Sequence, residues 1–158
     1  MIVPRRRYMG IMLPAFSFFR ATNQGGKPAD DEGRLSASFA NALSSLPEAR
    51  KKAHEFAVRL GVSGERLDEL MCSVGEALAN ALDHGSCEGS TLWLRAWNEA
   101  GVVVIEIEDS GPGFDPRSVA EPVVGAERGY GIAIMREMAD AVDFSADGRR
   151  VRLRKSVP

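Results

Sequence analysis

SVGEALANALDHG, residues Ser73–Gly85, is the stretch on which the reading of this chain turns. It is rich in Ala and Leu, as the buried side of a helix is, yet it carries Glu76, Asn80, Asp83 and His84. Extended back to Gly64, it reads as one helix capped by Ser63 and stopped by Gly85. At about 100° per residue with Glu76 at zero, Glu69 falls at about 20°, Asn80 at about 40°, Ser73 at about 60°, His84 at about 80° and Asp83 at about −20°. These residues share one stripe. Leu67, Leu70, Val74, Leu78, Ala81 and Leu82 fill the opposite arc, the side expected to pack on a sheet. A wet helix face and a site both fit this pattern. The stripe holds Glu69, Glu76 and Asp83 with no Lys or Arg, whereas a solvated helix usually mixes signs to form i,i+4 pairs. Asn80 is also a poor helix former among good ones. Carboxylate, amide and imidazole converging without a counter-charge suit a bound cation.

The chain has 158 residues, 44% hydrophobic and 27% charged, which fits one globular domain with a real core. A formal charge of −2 provides no basic surplus, so neither nucleic acid nor an anionic membrane is an expected partner. Cys72 and Cys87 lack metal-site or disulfide-framework spacing, and a reducing cytoplasm fits best. The N-terminal PRRRYMGIMLPAFSFF faintly resembles a signal peptide, but Pro14 interrupts the apolar run, Arg20 ends it and no cleavage pattern follows. No stretch approaches the roughly 18 apolar residues needed to span a bilayer. Residues 1–33 are therefore read as an extension and linker, and 34–158 as the domain.

Within that domain, Arg34–Phe39 alternates as a strand. SSLPEARKKAHEFAVRLG follows as a helix, with Ser45 and Glu48 placed for a capping box and Gly61 at its end. After the Ser73–Gly85 helix, TLWLRAW and VVVIEIE form a hairpin. Val103, Ile105 and Ile107 face one side of it, and Glu106 and Glu108 the other, as in a sheet with one buried face. Asp109–Gly131 is a long Gly- and Pro-rich loop of the kind that is usually functional or disordered. IAIMREMADAV then has helical periodicity, and a closing hairpin turns at Asp147–Gly148. The summed order predicts an α+β fold: a two-layer α/β sandwich, its sheet mostly antiparallel, with the helices on one face.

Two further pieces carry chemistry. In EDSGPGF, Asp109 ends an apolar strand and can accept a hydrogen bond from a ligand N–H. Gly111 and Gly113 let backbone approach a flat ring there. In ERGYGIAIM, Gly129 and Gly131 open a helix whose free N–H groups favour phosphate, and Arg128 adds charge. Each alone is also an ordinary turn or connector.

Together, in order and spacing, EALAN, DSGPGF and RGYGI resemble the N box and the two glycine boxes of the GHKL ATP-binding superfamily, whose fold is the histidine-kinase-like ATPase or Bergerat fold. Within that superfamily the chain is most similar to the anti-sigma-factor serine/threonine kinases of partner-switching systems. The likeness covers roughly Arg34–Val157 and includes SLPEAR and the EALANALDHG form of the N box. It implies Glu76 as general base, Asn80 as magnesium ligand, and Asp83 and His84 at the phosphate end. It further implies Asp109 on the adenine amino group, Gly111 and Gly113 around the base, and Arg128, Gly129 and Gly131 in the lid over the phosphates. Magnesium prefers one or two protein oxygens plus water and phosphate, so a single Asn oxygen fits. Where the family often has a Gly followed by threonines, one of which helps hold adenine, this chain reads Gly148, Arg149, Arg150.

The implied function is a cytoplasmic, homodimeric kinase that uses ATP and Mg2+ to phosphorylate a STAS-type anti-sigma antagonist. It acts as an anti-sigma factor in transcription regulation, holding a sigma factor or similar regulator. Two alternatives are a nucleotide-bound binding module without turnover and a histidine-kinase-type catalytic domain. Glu76 favours an enzyme, since a pure binder needs no base. Nothing before Arg34 is periodic enough to supply a phospho-accepting helix pair.

Overall fold

Alternation at the start of the domain becomes β1 (Arg34–Ala40), with Leu35, Ala37 and Phe39 turned inward. The computed structural model describes residues 33–85, 89–116 and 129–157. A 3-10 turn, Leu43–Ser45, runs straight into α1 (Leu46–Arg59). The expected capping box does not form. Ser45 already has helical angles (φ −86°, ψ −21°) and makes no side-chain cap bond, because the preceding turn has begun the winding and removed the extended geometry a cap requires. The other end is as expected: Gly61 sits at φ 91°, with Val62 N–H on Ala57 O (3.1 Å) and Gly61 N–H on Val58 O (2.9 Å), a Schellman closure.

The long helix α2 (Gly64–Gly85) buries Leu70, Val74, Leu78 and Ala81 as its apolar arc predicts. It is followed by β2 (Thr91–Glu99) and β3 (Val102–Asp109). Their two-residue turn has Ala100 at φ 50° and Gly101 at φ 82°, the type I′ geometry that matches strand twist, and the Gly101 N–H donates to Asn98 Oδ1 at 2.9 Å. Helix α3 (Gly131–Met138) is shorter than its sequence periodicity predicts. At Ala139 the backbone is extended, and the Asp140 N–H already donates to Arg154 O at 2.9 Å. Sheet pairing therefore takes over where amphipathic spacing alone would continue the helix. The chain closes with β4 (Ala141–Phe144) and β5 (Arg150–Ser156), joined through Asp147–Gly148.

The sheet order is β1-β2-β3-β5-β4, and every neighbouring pair is antiparallel. Its inner face, including Leu94, Ile105 and Leu153, meets Ala53 and Phe56 of α1 and Val74 and Leu78 of α2 in one core. This is the expected two-layer α+β sandwich. The outer face departs from the expected wet surface at the central strand, where Glu106 is only 4% exposed. Arg95 Nη1 (2.8 Å) and Arg152 Nε (2.6 Å), from the strands on either side, donate to its carboxylate. Burial alone would raise this carboxyl, but those hydrogen bonds bring it below its usual range.

Candidate functional site

The C-terminal half of α2, the end of β3 and the β4–β5 turn converge on a pocket. Its apolar lining includes Ala77, Ile107, Met135 and Val151, and its polar groups are Asn80, His84, Asp109 and Arg149. A cavity of about 20 Å³ holds about one water, so a flat ring enters only as the side chains at the mouth move outward. Phe114 and Phe144 pack edge to face across one side, with centroids 5.8 Å apart.

Asp109 is buried at the end of β3, and its Oδ1 accepts the Gly111 N–H at 2.7 Å. Burial raises the Asp109 carboxyl above its ordinary value; the Gly111 bond and the nearby Arg149 charge only partly offset this. The glycines around it are close-approach positions. A Cβ on Gly85 would stand 2.4 Å from Asp109 Cγ, and one on Gly111 would stand 2.4 Å from Gly85 Cα. Gly85, read from sequence only as a helix stop, thus lets α2 close on the carboxylate. Gly113 (φ 74°) meets the β4–β5 turn, where its Cβ would lie 2.0 Å from Asp147 O.

The catalytic candidates gather beside the pocket, around its lining residue Asn80. A Cβ on Gly131, the first residue of α3, would lie 2.9 Å from Glu76 Oε2 and 3.4 Å from Asn80 Oδ1. Glycine here lets the positive N-terminus of α3 settle directly against the carboxylate–amide pair. Asp83 and His84 are both exposed, and of the two only His84 lines the pocket. Gly129 (φ 97°) is exposed just ahead of α3. Arg128 lies outside the described residues.

The rest of the α2 stripe is not part of the site. Ser73 is fully buried and its Oγ donates to Glu69 O at 3.1 Å. Nor does Glu69 lack a counter-charge: Lys155 Nζ donates to its Oε2 at 2.6 Å and to Met138 O at 2.7 Å. The helical wheel missed this because the cation comes from the inner face of β5. The expectation of a bound cation then concerns only the C-terminal half of the stripe. Among the described residues no group of three or more His, Cys, Asp or Glu could hold a metal. Asn80, the expected metal ligand, has a single side-chain oxygen of the kind that magnesium accepts when phosphate and water complete its shell.

The two arginines that replace the family's threonines part company. Arg149 lines the pocket, while Arg150 points to the outer face, 3.8 Å from Glu106. Sequence reasoning also missed Phe114 and Phe144 as lining residues; the GPGF and VDFS contexts place them beside the turns that shape the pocket. Among the described residues no helix is long and apolar enough to cross a membrane.

A family model described as a histidine kinase-like ATPase domain matches residues 39–155. The chain is similar to the chemotaxis protein CheA of Borreliella burgdorferi, 28% identical over 108 residues, covering 57% of this chain and 12% of that protein. Among solved structures it is similar to the RsbU and RsbW domains of Rv1364c from Mycobacterium tuberculosis, with a TM-score of 0.58 at 14% identity, over 78% of this chain and 32% of that one. A histidine kinase domain from the blue-light activated histidine kinase of Erythrobacter litoralis EL346 aligns with a TM-score of 0.49 at 18% identity, over 72% of this chain and 60% of that one. The chain thus spans only a small part of the curated relative and about a third of the first solved chain.

Proposed function

The chain belongs to the histidine kinase-like ATPase domain family, and on that premise we propose that it is an ATP-dependent serine/threonine protein kinase acting as an anti-sigma factor. The observation that carries this reading is the meeting of Glu76, Asn80 and the Gly131 end of α3 beside a pocket that holds Asp109. ATP places its base against Asp109 and its phosphates toward Asn80, His84 and the start of α3, where helix N–H groups favour anions. Glu76 accepts the proton of the incoming hydroxyl as its oxygen bonds to the γ-phosphorus and the bond to the β–γ bridging oxygen breaks, releasing ADP. Such a base contributes about 10²- to 10⁴-fold, and positioning with charge neutralisation contributes most of the rest. Asn80 would hold a magnesium ion, which would supply part of that neutralisation when bound. Asp83, Arg128 and Gly129 complete the phosphate side and its lid.

The acceptor is a serine or threonine on a STAS-type antagonist. Its phosphorylation frees the kinase to hold a sigma factor or similar regulator, as a homodimer in the cytoplasm. This acceptor and partner choice rests on the motif resemblance. Incubation with γ-labelled ATP and candidate antagonist domains tests it, and acid-stable label should appear on the antagonist. Nucleotide binding without transfer to any partner would identify a binding module. Label that is acid-labile and sits on a histidine would identify a histidine-kinase-type domain.

A further inference from the structure

The β4–β5 turn brings a charged pair to the pocket mouth that the kinase reading leaves unused. Arg149 is the cross-strand neighbour of Asp109, whose N–H donates to the Arg149 carbonyl at 3.0 Å. By strand alternation both side chains leave the sheet on the helix side, and both line the pocket. The guanidinium is anchored from outside: Nε and Nη2 donate to Asp147 Oδ2 at 2.9 and 2.7 Å. Asp147 is itself fixed, because its carbonyl accepts the Phe114 N–H at 3.1 Å and its Oδ1 accepts the Arg149 N–H at 3.3 Å. Gly113 permits this docking, since any Cβ there would strike the Asp147 carbonyl. No hydrogen bond from Arg149 Nη1 to another described residue accompanies these two, and the guanidinium charge reaches the Asp109 carboxyl, which it helps to lower.

The pocket thus presents an acceptor and a charged donor side by side. A flat ring matches that order if its edge carries an N–H donor next to a ring-nitrogen acceptor. Adenine does so at its 6-amino group, flanked by N1 and N7. Guanine reverses the order at the same edge, with a carbonyl at position 6 and an N–H at position 1. Resting on the nucleotide-binding reading above, we propose that Arg149 is a base-recognition residue, donating to the ring nitrogen beside the amine that Asp109 holds. Adenine is then selected by an Asp–Arg pair and not by Asp109 alone.

Calorimetric titration of the full chain with the magnesium complexes of ATP, 1-deaza-ATP, 7-deaza-ATP and GTP tests this. A hydrogen bond from a charged donor corresponds to roughly a tenfold or greater change in affinity. Wild type should bind one of the two deaza analogues about tenfold more weakly than ATP, and that analogue identifies the nitrogen. GTP should bind more weakly still. Arg149→Ala should bind ATP about tenfold more weakly and no longer distinguish it from that analogue. Equal wild-type affinity for ATP and both analogues overturns the proposal, as does a variant that still discriminates or GTP bound as tightly as ATP. The wild-type comparison needs no variant to fold. Absence of binding by any nucleotide overturns the ATP reading and this proposal with it, whereas tight binding without discrimination overturns this proposal alone.

Discussion

At the residue scale, two carboxylates differ in place: Asp109 lines the pocket, while Glu76 stands beside it, next to the lining residue Asn80 and against Gly131. Glu76 is half-buried, and its Oε2 lies against the Gly131 start of α3 together with the Asn80 amide. Glu76→Gln keeps size and polarity but cannot accept a proton. Transfer of label to the antagonist should fall by about 10²- to 10⁴-fold while calorimetry shows ATP affinity within a few-fold of wild type. A variant with undiminished transfer would remove Glu76 from the base role. Asp109 is raised by burial, so the folded protein holds its proton more tightly than the unfolded chain does. Its contribution to stability therefore declines as pH rises from the ordinary carboxylate value through the raised one, and stays constant above it. Binding runs the other way. The ionised carboxylate is the stronger acceptor for the base amine, so ATP affinity should weaken as pH falls through that raised value, at a higher pH than an exposed Asp would give. Asp109→Asn should bind ATP roughly 10- to 100-fold more weakly at neutral pH and lose this acid limb. Titrations across the acid range compare the two proteins directly.

At the element scale, α2 is one helix with two jobs along a single stripe. Its N-terminal half is fastened by Lys155, which is buried on the inner face of β5 and bonded to Glu69 and to the last carbonyl of α3. Its C-terminal half carries Glu76, Asn80 and His84 toward the pocket. Lys155→Met keeps the apolar stem but leaves Glu69 and the Met138 carbonyl without their donor. Chemical denaturation should show a loss of about 1–3 kcal/mol, since Glu69 remains partly hydrated. A second element-level test is Gly131→Ala. The added Cβ meets Glu76 Oε2 at 2.9 Å, so either the carboxylate or the start of α3 must shift. Label transfer should drop at least tenfold while the melting temperature changes little, because alanine is the better helix former. What was legible in the sequence follows the same division. Periodicity of 3.6 and of 2 located α2, both hairpins and the sheet's inner face, because each is set by residues within one element. Ser73, Lys155 and Glu106 were not legible, because their burial depends on which strand or helix lies alongside. The early end of α3 was missed for the same reason: Arg154, across the sheet, captures the Asp140 N–H. In the pocket, the Gly and Asp motifs marked Asp109, Gly111, Gly113 and Gly131, while Phe114, Phe144 and Arg149 become lining residues only once the β4–β5 turn docks on the loop after β3.

At the scale of the whole molecule, the antiparallel sheet puts the end of β3 next to the start of β5, and α2 crosses above both. The pocket is therefore walled by segments distant in sequence: the C-terminal half of α2, the loop after β3, Met135 of α3 and the β4–β5 turn. A ligand seated there bridges all four and cannot be held by the unfolded chain. Binding to the folded state alone stabilises it by RT ln(1 + [L]/Kd), about 2.7 kcal/mol at a hundredfold excess over Kd. For a domain of this size, that corresponds to a melting-temperature rise of roughly 5–10 °C. The rise should appear with ATP plus magnesium and shrink when EDTA withdraws the metal, since phosphate charge is then left facing Glu76. It should also shrink in Asn80→Ala, which removes the proposed metal-holding oxygen without touching Asp109. A scanning-calorimetry series over ATP concentration checks all three at once, because a linkage effect grows logarithmically with free ligand whereas a nonspecific salt effect does not. A melting temperature indifferent to millimolar ATP with magnesium would show that the four segments do not close on a nucleotide.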